Sequence, residues 1–211
     1  MPPASSSADL RYRVGETRLL DAACAVFAAE GFDGATMEAI AERAGTTKPT
    51  LYARFGSKEG LFAAAVRREY ELLKTQLFVA YESDEDEPFH RRLHRWTTAY
   101  FDFVRDRPDG ARLTSEGERH PAAAAIVERA SDEIVDHIAE LVLRVSKVPA
   151  PRGARIVAAM IAGMLTRCGR AVLNDPDVEL DAAAALCESF LYDALRPLDP
   201  DLLAAVDRPR A

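Results

Sequence analysis

The sequence predicts an all-α fold of about nine helices, with a small N-terminal three-helix helix-turn-helix head and a larger helical-bundle body. Three observations carry that expectation. Apolar residues recur every three to four positions along most of the chain. No run alternates with period two over a useful length, as half-buried strands do. Gly, Pro and Asn-Asp-Pro signals interrupt the periodic runs at intervals that suit helices.

Residues 1–13 are Pro/Ser-rich at their start and read as a disordered tail, with Arg11 and Arg13 at its end as a possible arm for a DNA groove. Residues 14–60 are expected to form the head and residues 61–211 the body. From Glu16 to Glu30 the residues Leu19, Leu20, Ala23, Val26 and Phe27 make a helical stripe, and Gly31 stops it. Thr36 is a candidate N-cap for a second, short helix, with Glu38 in the first turn where the helix dipole favours an acid. Gly45 ends that helix. Thr46 or Thr47 caps a third, and Pro49 falls in its first turn, where a missing N–H costs nothing. After Gly56 a fourth helix runs from Lys58 through Leu77.

The acidic run at 82–87 reads as a solvated loop. A helix follows from Phe89 to Arg107, with Phe89, Leu93, Trp96, Tyr100 and Val104 on one face, and Pro108-Asp109-Gly110 reads as a turn. Pro121 to Val145 gives another helix, whose face carries Ile134, His137, Ile138, Leu141 and Val145. Pro151–Leu173 and Leu180–Leu195 are the last two, separated by Asn174-Asp175-Pro176.

The chain has 211 residues, 48% hydrophobic and 29% charged, enough to bury a core. Its net charge of −7 is unusual for a nucleic-acid binder, so the distribution matters more than the sum. Residues 1–70 are neutral, with nine basic and nine acidic side chains, so the whole excess of acid lies beyond them. Between Arg43 and Lys58 the charged residues are Arg43, Lys48, Arg54 and Lys58, with no acid among them, and this suits a phosphate-facing patch. Cys24, Cys168 and Cys187 stand far apart among apolar residues and read as buried thiols of a cytoplasmic protein. Neither a secretory leader nor a membrane span is expected, since the charge-free run Ile156–Thr166 is too short to cross a bilayer. No nucleophile elbow or phosphate loop is present, so an enzyme is not expected, and no cofactor is implied.

Two short helices joined by a tight Gly-containing turn are the mark of a helix-turn-helix. Here it spans Thr36–Lys58. The third helix opens with Thr47-Lys48-Pro49-Thr50, which has little bulk, so its N-terminus can enter a major groove about 12 Å wide. Leu51 and Phe55 face back into the head and leave Thr47, Lys48, Pro49, Thr50, Tyr52 and Arg54 facing outward. From roughly Thr17 to Val66 the segment resembles the head of the TetR (tetracycline-repressor-like) family, through Thr36…Ile40-Ala41…Ala44-Gly45, then Thr50-Leu51-Tyr52…Phe55, then Lys58-Glu59…Leu61. The resemblance implies base contacts from Thr47 and Lys48, and Pro49 against a thymine methyl or sugar. It also implies phosphate contacts from Thr36, Thr50, Tyr52 and Lys58, with Arg54 touching either.

It implies further a regulator, expected to be a repressor, that leaves a palindromic double-stranded operator when a small apolar or aromatic effector binds. The helices at about 151–173 and 180–196 would form the homodimer, and the all-round apolar run at Ile156–Thr166 agrees, since such a helix must be covered on more than one side. Trp96, Tyr100, Phe103, His120, His137, Met160 and Met164 are the effector-pocket candidates, with the plain core as their alternative role. His90 and His94 share a helical face, but no third ligand accompanies them and no metal is expected. The alternative function is a helical interaction or enzyme module that has lost DNA binding.

Overall fold

A computed structural model describes residues 7–82, 87–196 and 199–208, with side chains described from residue 15. Ten helices and no strand are found among the described residues: α1 (Ser7–Gly34), α2 (Met37–Arg43), α3 (Lys48–Phe55), α4 (Lys58–Tyr81), α5 (Phe89–Asp106), α6 (Pro108–Gly117), α7 (Ala124–Ser146), α8 (Pro151–Asn174), α9 (Leu180–Leu195) and α10 (Pro200–Asp207). The chain divides into two compact units, one built from residues up to Tyr70 plus Arg112–Val127, the other from Glu71–Ala111 and residues from Glu128 onward.

α1 begins at Ser7, so residues 7–13, expected as tail, are helical, while residues 1–6 and the side chains of Arg11 and Arg13 lie outside the described residues. No proline interrupts Ser7–Gly31, and the lone Gly15 costs a helix only about 1 kcal/mol. Gly31 does break the helix, at φ 69° and ψ 169°, but one more turn follows to Gly34. Most of the expected 82–87 loop lies outside the described residues.

In the first unit Phe27 and Phe62, both fully buried, meet edge to face at 5.1 Å between centroids, and Ile40, Leu51 and Leu61 complete the core around them. The residues from Arg112 to Val127 join this unit, although the sequence places them in the body. Two contacts hold them there. The Phe32 N–H donates to Glu116 Oε1 at 2.6 Å, and the His120 ring lies 3.9 Å from that of Phe32 and 4.9 Å from that of Phe62. Pro108-Asp109-Gly110 opens α6 rather than turning: Pro suits a first helical position and Asp a first turn, so the same residues serve as start signals.

In the second unit α8 packs against α5, α9 and α10, with Ala154, Ala158, Leu165 and Gly169 buried. Two glycines set the approach. A Cβ on Gly169 would lie 2.5 Å from Tyr100 Oη, and one on Gly153 would lie 2.5 Å from the Leu203 carbonyl oxygen. α10, which local pattern did not announce, docks there, and its Asp207 carboxylate accepts N–H bonds from Arg152 (3.1 Å) and Gly153 (3.0 Å), capping the N-terminus of α8. By length and composition α8 is apolar enough to cross a membrane. Its buried Gly153, Ala154, Ala158, Leu165 and Gly169 lie against helices of the same unit, while most of the helix is not buried in the single chain.

Candidate nucleic-acid interface

Local signals build the interface. Thr36 sits in extended conformation before α2, and its hydroxyl accepts the Ala39 N–H at 3.1 Å. Gly45, at φ 58°, supplies the left-handed step that turns the chain toward α3. Thr47 occupies the N-cap position of α3 without a capping side-chain bond, its hydroxyl lying 2.9 Å from that of Thr50 instead. Gly56, at φ 77°, ends α3, and Ser57 then caps α4 by accepting the Gly60 N–H at 3.0 Å.

The packing sets which side chains face outward. Leu51 is wholly buried and anchors α3. Thr47, Lys48, Pro49 and Thr50 are exposed, as are Thr36 and Tyr52. Phe55 is only half-buried, against the expectation that it fills the head as Leu51 does. Arg54 and Lys58 are also half-buried. The Arg54 guanidinium lies near Gly15 of α1, with Nη2 shut from solvent, so it is more enclosed than an outward-facing reader should be. The Lys58 ammonium donates to the Asp33 carbonyl at 3.3 Å and stands 4.6 Å from the centre of the Phe32 ring, which ties the start of α4 to the end of α1.

The electrostatics depart from a bare basic patch. The Lys48 ammonium contacts the Glu38 carboxylate on α2, although both remain exposed. This hydrogen bond draws the Glu38 carboxyl below its ordinary range and raises Lys48. Sequence reading gave Glu38 only a helix-dipole role, because a contact between two helices leaves no trace in local spacing.

The second unit contains an apolar cavity of about 170 Å³. Phe89, Leu93 and Trp96 of α5, Leu141 of α7, Leu165 of α8 and Leu191 of α9 are in its wall. Of the expected pocket residues Trp96 lines it, whereas Tyr100, Phe103, His120, His137, Met160 and Met164 do not. Phe103 is buried in the core, and Tyr100 is buried beside Gly169 and Phe101. His137 stacks on Phe78 at 4.4 Å, and His120 belongs to the first unit. Met160 is 69% exposed, and Met164 is half-buried. His94 Nδ1 meets Glu188 Oε2 at 2.8 Å, and no group of three potential metal ligands stands together among the described residues. Cys24 and Cys187 are buried and Cys168 half-buried; burial, then a hydrogen bond with Cys168, pushes the Cys187 thiol up to about 12.

Among the described residues, α8 and α9 carry large apolar side chains that are exposed in the single chain. Ile156 (49%) and Met160 of α8 and Leu186 (71%) and Phe190 (65%) of α9 are exposed, and a Cβ added at Gly163 would meet nothing within 4 Å.

Comparison with known proteins bears on this arrangement. The family model described as bacterial regulatory proteins, tetR family, matches residues 19–65. The chain is 31% identical over 180 residues to the HTH-type transcriptional activator FasR of Mycolicibacterium smegmatis, covering 84% of this chain and 81% of that protein. Among solved structures it resembles a TetR-like transcriptional regulator from Rhodococcus sp. RHA1, with a TM-score of 0.71 at 28% identity over 87% of this chain and 97% of that one. It also shares the fold of the fatty acid degradation regulator FadR from Bacillus halodurans, with a TM-score of 0.71 at 19% identity over 83% and 93% of the two chains.

Proposed function

The chain belongs to the tetR family of bacterial regulatory proteins, and from that premise we propose a sequence-specific DNA-binding transcription regulator that works as a homodimer in the bacterial cytoplasm. The observation that carries this reading is the exposed, slender start of α3, Thr47 to Thr50, seated on a wholly buried Leu51. A recognition helix needs such an end to reach base edges, flanked by groups that hold phosphate. Thr47 and Lys48 contact bases and Pro49 a thymine methyl or sugar, while Thr36, Thr50, Tyr52 and Lys58 hold phosphates. We assign Arg54 to base or phosphate contact at the end of α3, with its half-burial beside α1 favouring phosphate.

Ile156 and Met160 of α8 with Leu186 and Phe190 of α9 are assigned to the dimer interface, because exposed apolar side chains grouped in this way call for a partner. Two-fold symmetry then asks for a roughly palindromic operator. Selection of fragments from a random DNA pool tests this. An enriched inverted repeat is expected, and no enrichment over random sequence would sink the reading.

The body cavity is assigned to a small apolar or aromatic effector. Its wall offers apolar and aromatic side chains from α5, α7, α8 and α9, a surface suited to uncharged ligands. A ligand that fits one shape of the dimer better than the other must change operator affinity by that difference, about 1–3 kcal/mol in a useful switch. Repression is the direct reading of a protein that occupies an operator. The relative's name, an activator, favours a second reading in which the bound dimer promotes transcription. Deleting the gene separates them: transcripts beside the operator rise under repression and fall under activation.

A further inference from the structure

Glu38 and Lys48 are ten positions apart, on two different helices, yet their charged ends touch. Thr47, Pro49 and Thr50, which adjoin Lys48 along the chain, are exposed as Glu38 and Lys48 are. Glu38 sits in the first turn of α2, where the helix dipole favours its charge. Lys48 sits at the first position of α3. Of the other cations from α3 to the start of α4, Lys58 is tied to Asp33 and Phe32, and Arg54 lies half-buried near Gly15; Arg43, at the end of α2, is exposed.

A lysine at the tip of a recognition helix is a flexible point charge with three donors, and any phosphate attracts it. A carboxylate at its side changes both properties. The pair has no net charge, so moving it to a phosphate releases no counterion, and the carboxylate is itself repelled by the backbone. One N–H is taken and two remain, enough for the O6 and N7 acceptors that guanine shows in the major groove. Such a pair gains little from a phosphate and keeps its gain from a base edge. The lowered Glu38 carboxyl and raised Lys48 ammonium agree with a pair that stays ionised at neutral pH.

We propose that Glu38 is a specificity-determining residue of the head: it withholds Lys48 from the phosphate backbone and presents it to a guanine edge. The proposal rests on the DNA-binding reading above. It is tested on the full-length protein by titrating the selected operator and a random duplex across a salt series. The proteins compared are wild type, Glu38→Gln, Lys48→Ala and the double variant. Glu38→Gln should bind the random duplex more tightly, steepen its salt slope by about one unit, and reduce the operator-to-random affinity ratio by about tenfold. In the Lys48→Ala background the same change should leave that ratio unaltered.

An equal loss of ratio with and without Lys48 would overturn the proposal, since Glu38 would then act alone. So would an unchanged ratio and slope in Glu38→Gln. Glu38→Asp keeps the charge at the start of α2 but falls short of Lys48, and a lowered ratio in this variant is expected even if Glu38→Gln destabilises the helix. A full ratio in Glu38→Asp would refute the contact. Wild type that binds no duplex at all would instead refute the DNA-binding reading.

Discussion

At the scale of single residues, the proposed reading assigns base contacts and phosphate contacts to different side chains, and each assignment has its own test. Lys58 is held by the Asp33 carbonyl and the Phe32 ring, so its ammonium has a defined place at the start of α4. Lys58→Ala should weaken binding to every sequence by a similar factor and lower the salt slope by about one unit. A changed site preference with an unaltered slope would count against a phosphate role. Lys48→Ala should cost about 1–3 kcal/mol at the operator and relax the preference at one base pair. That assignment fails if a panel of operators substituted at each position is bound in the wild-type order. Gly56 poses a different kind of test. Its φ of 77° favours glycine, so Gly56→Ala should lower stability by about 1 kcal/mol, read as a denaturation midpoint.

At the scale of elements, helix ends decide more than helix interiors. α10 is short, and its docking depends on the close approach at Gly153 and on Asp207 capping α8. Asp207→Ala should cost about 0.5–2 kcal/mol, as other lost caps do, and raise hydrogen exchange in α10 and the first turn of α8. Unchanged exchange there would show the cap to be idle. The cavity also belongs to this scale. Phe89, Leu93 and Trp96 lie on one face of α5, and that face was legible from periodicity. The candidates chosen on residue type, such as Met160 and His120, went elsewhere, because an aromatic ring or a thioether does not reveal which neighbour its face meets. Compounds that raise the melting temperature of the wild type should lose that effect in Trp96→Ala and keep it in Met160→Ala. The reverse pattern would move the effector site to α8.

At the scale of the whole molecule, the proposed dimer rests on the exposed apolar side chains of α8 and α9. Gly163 has open space around it in the single chain, so Gly163→Arg should leave the fold intact while obstructing a second copy. Sedimentation should show a dimer for the wild type and a monomer for the variant, whose operator affinity falls with the loss of the second half-site. A wild type that is monomeric at micromolar concentration would end this reading. The surplus of acid lies outside the first 70 residues, so it need not face the nucleic acid, and the net charge of −7 does not oppose DNA binding.

The helices and the helix-turn-helix were legible in the sequence because their causes are local. A stripe such as Leu19, Ala23, Val26 and Phe27, a cap such as Thr36 and a glycine such as Gly45 act within a few residues of themselves. The fold class and the family followed from that short-range grammar. Other features depended on which faces meet. The residues from Arg112 onward joined the first unit through Glu116 and His120, contacts that reach 84 positions back to Phe32 in the case of Glu116. Only the tertiary structure placed Glu38 against Lys48, closed α10 onto α8, and chose Trp96 over Tyr100 for the cavity wall. Each of these follows from the relative placement of helices, and the spacing of residues along one helix carries no record of it.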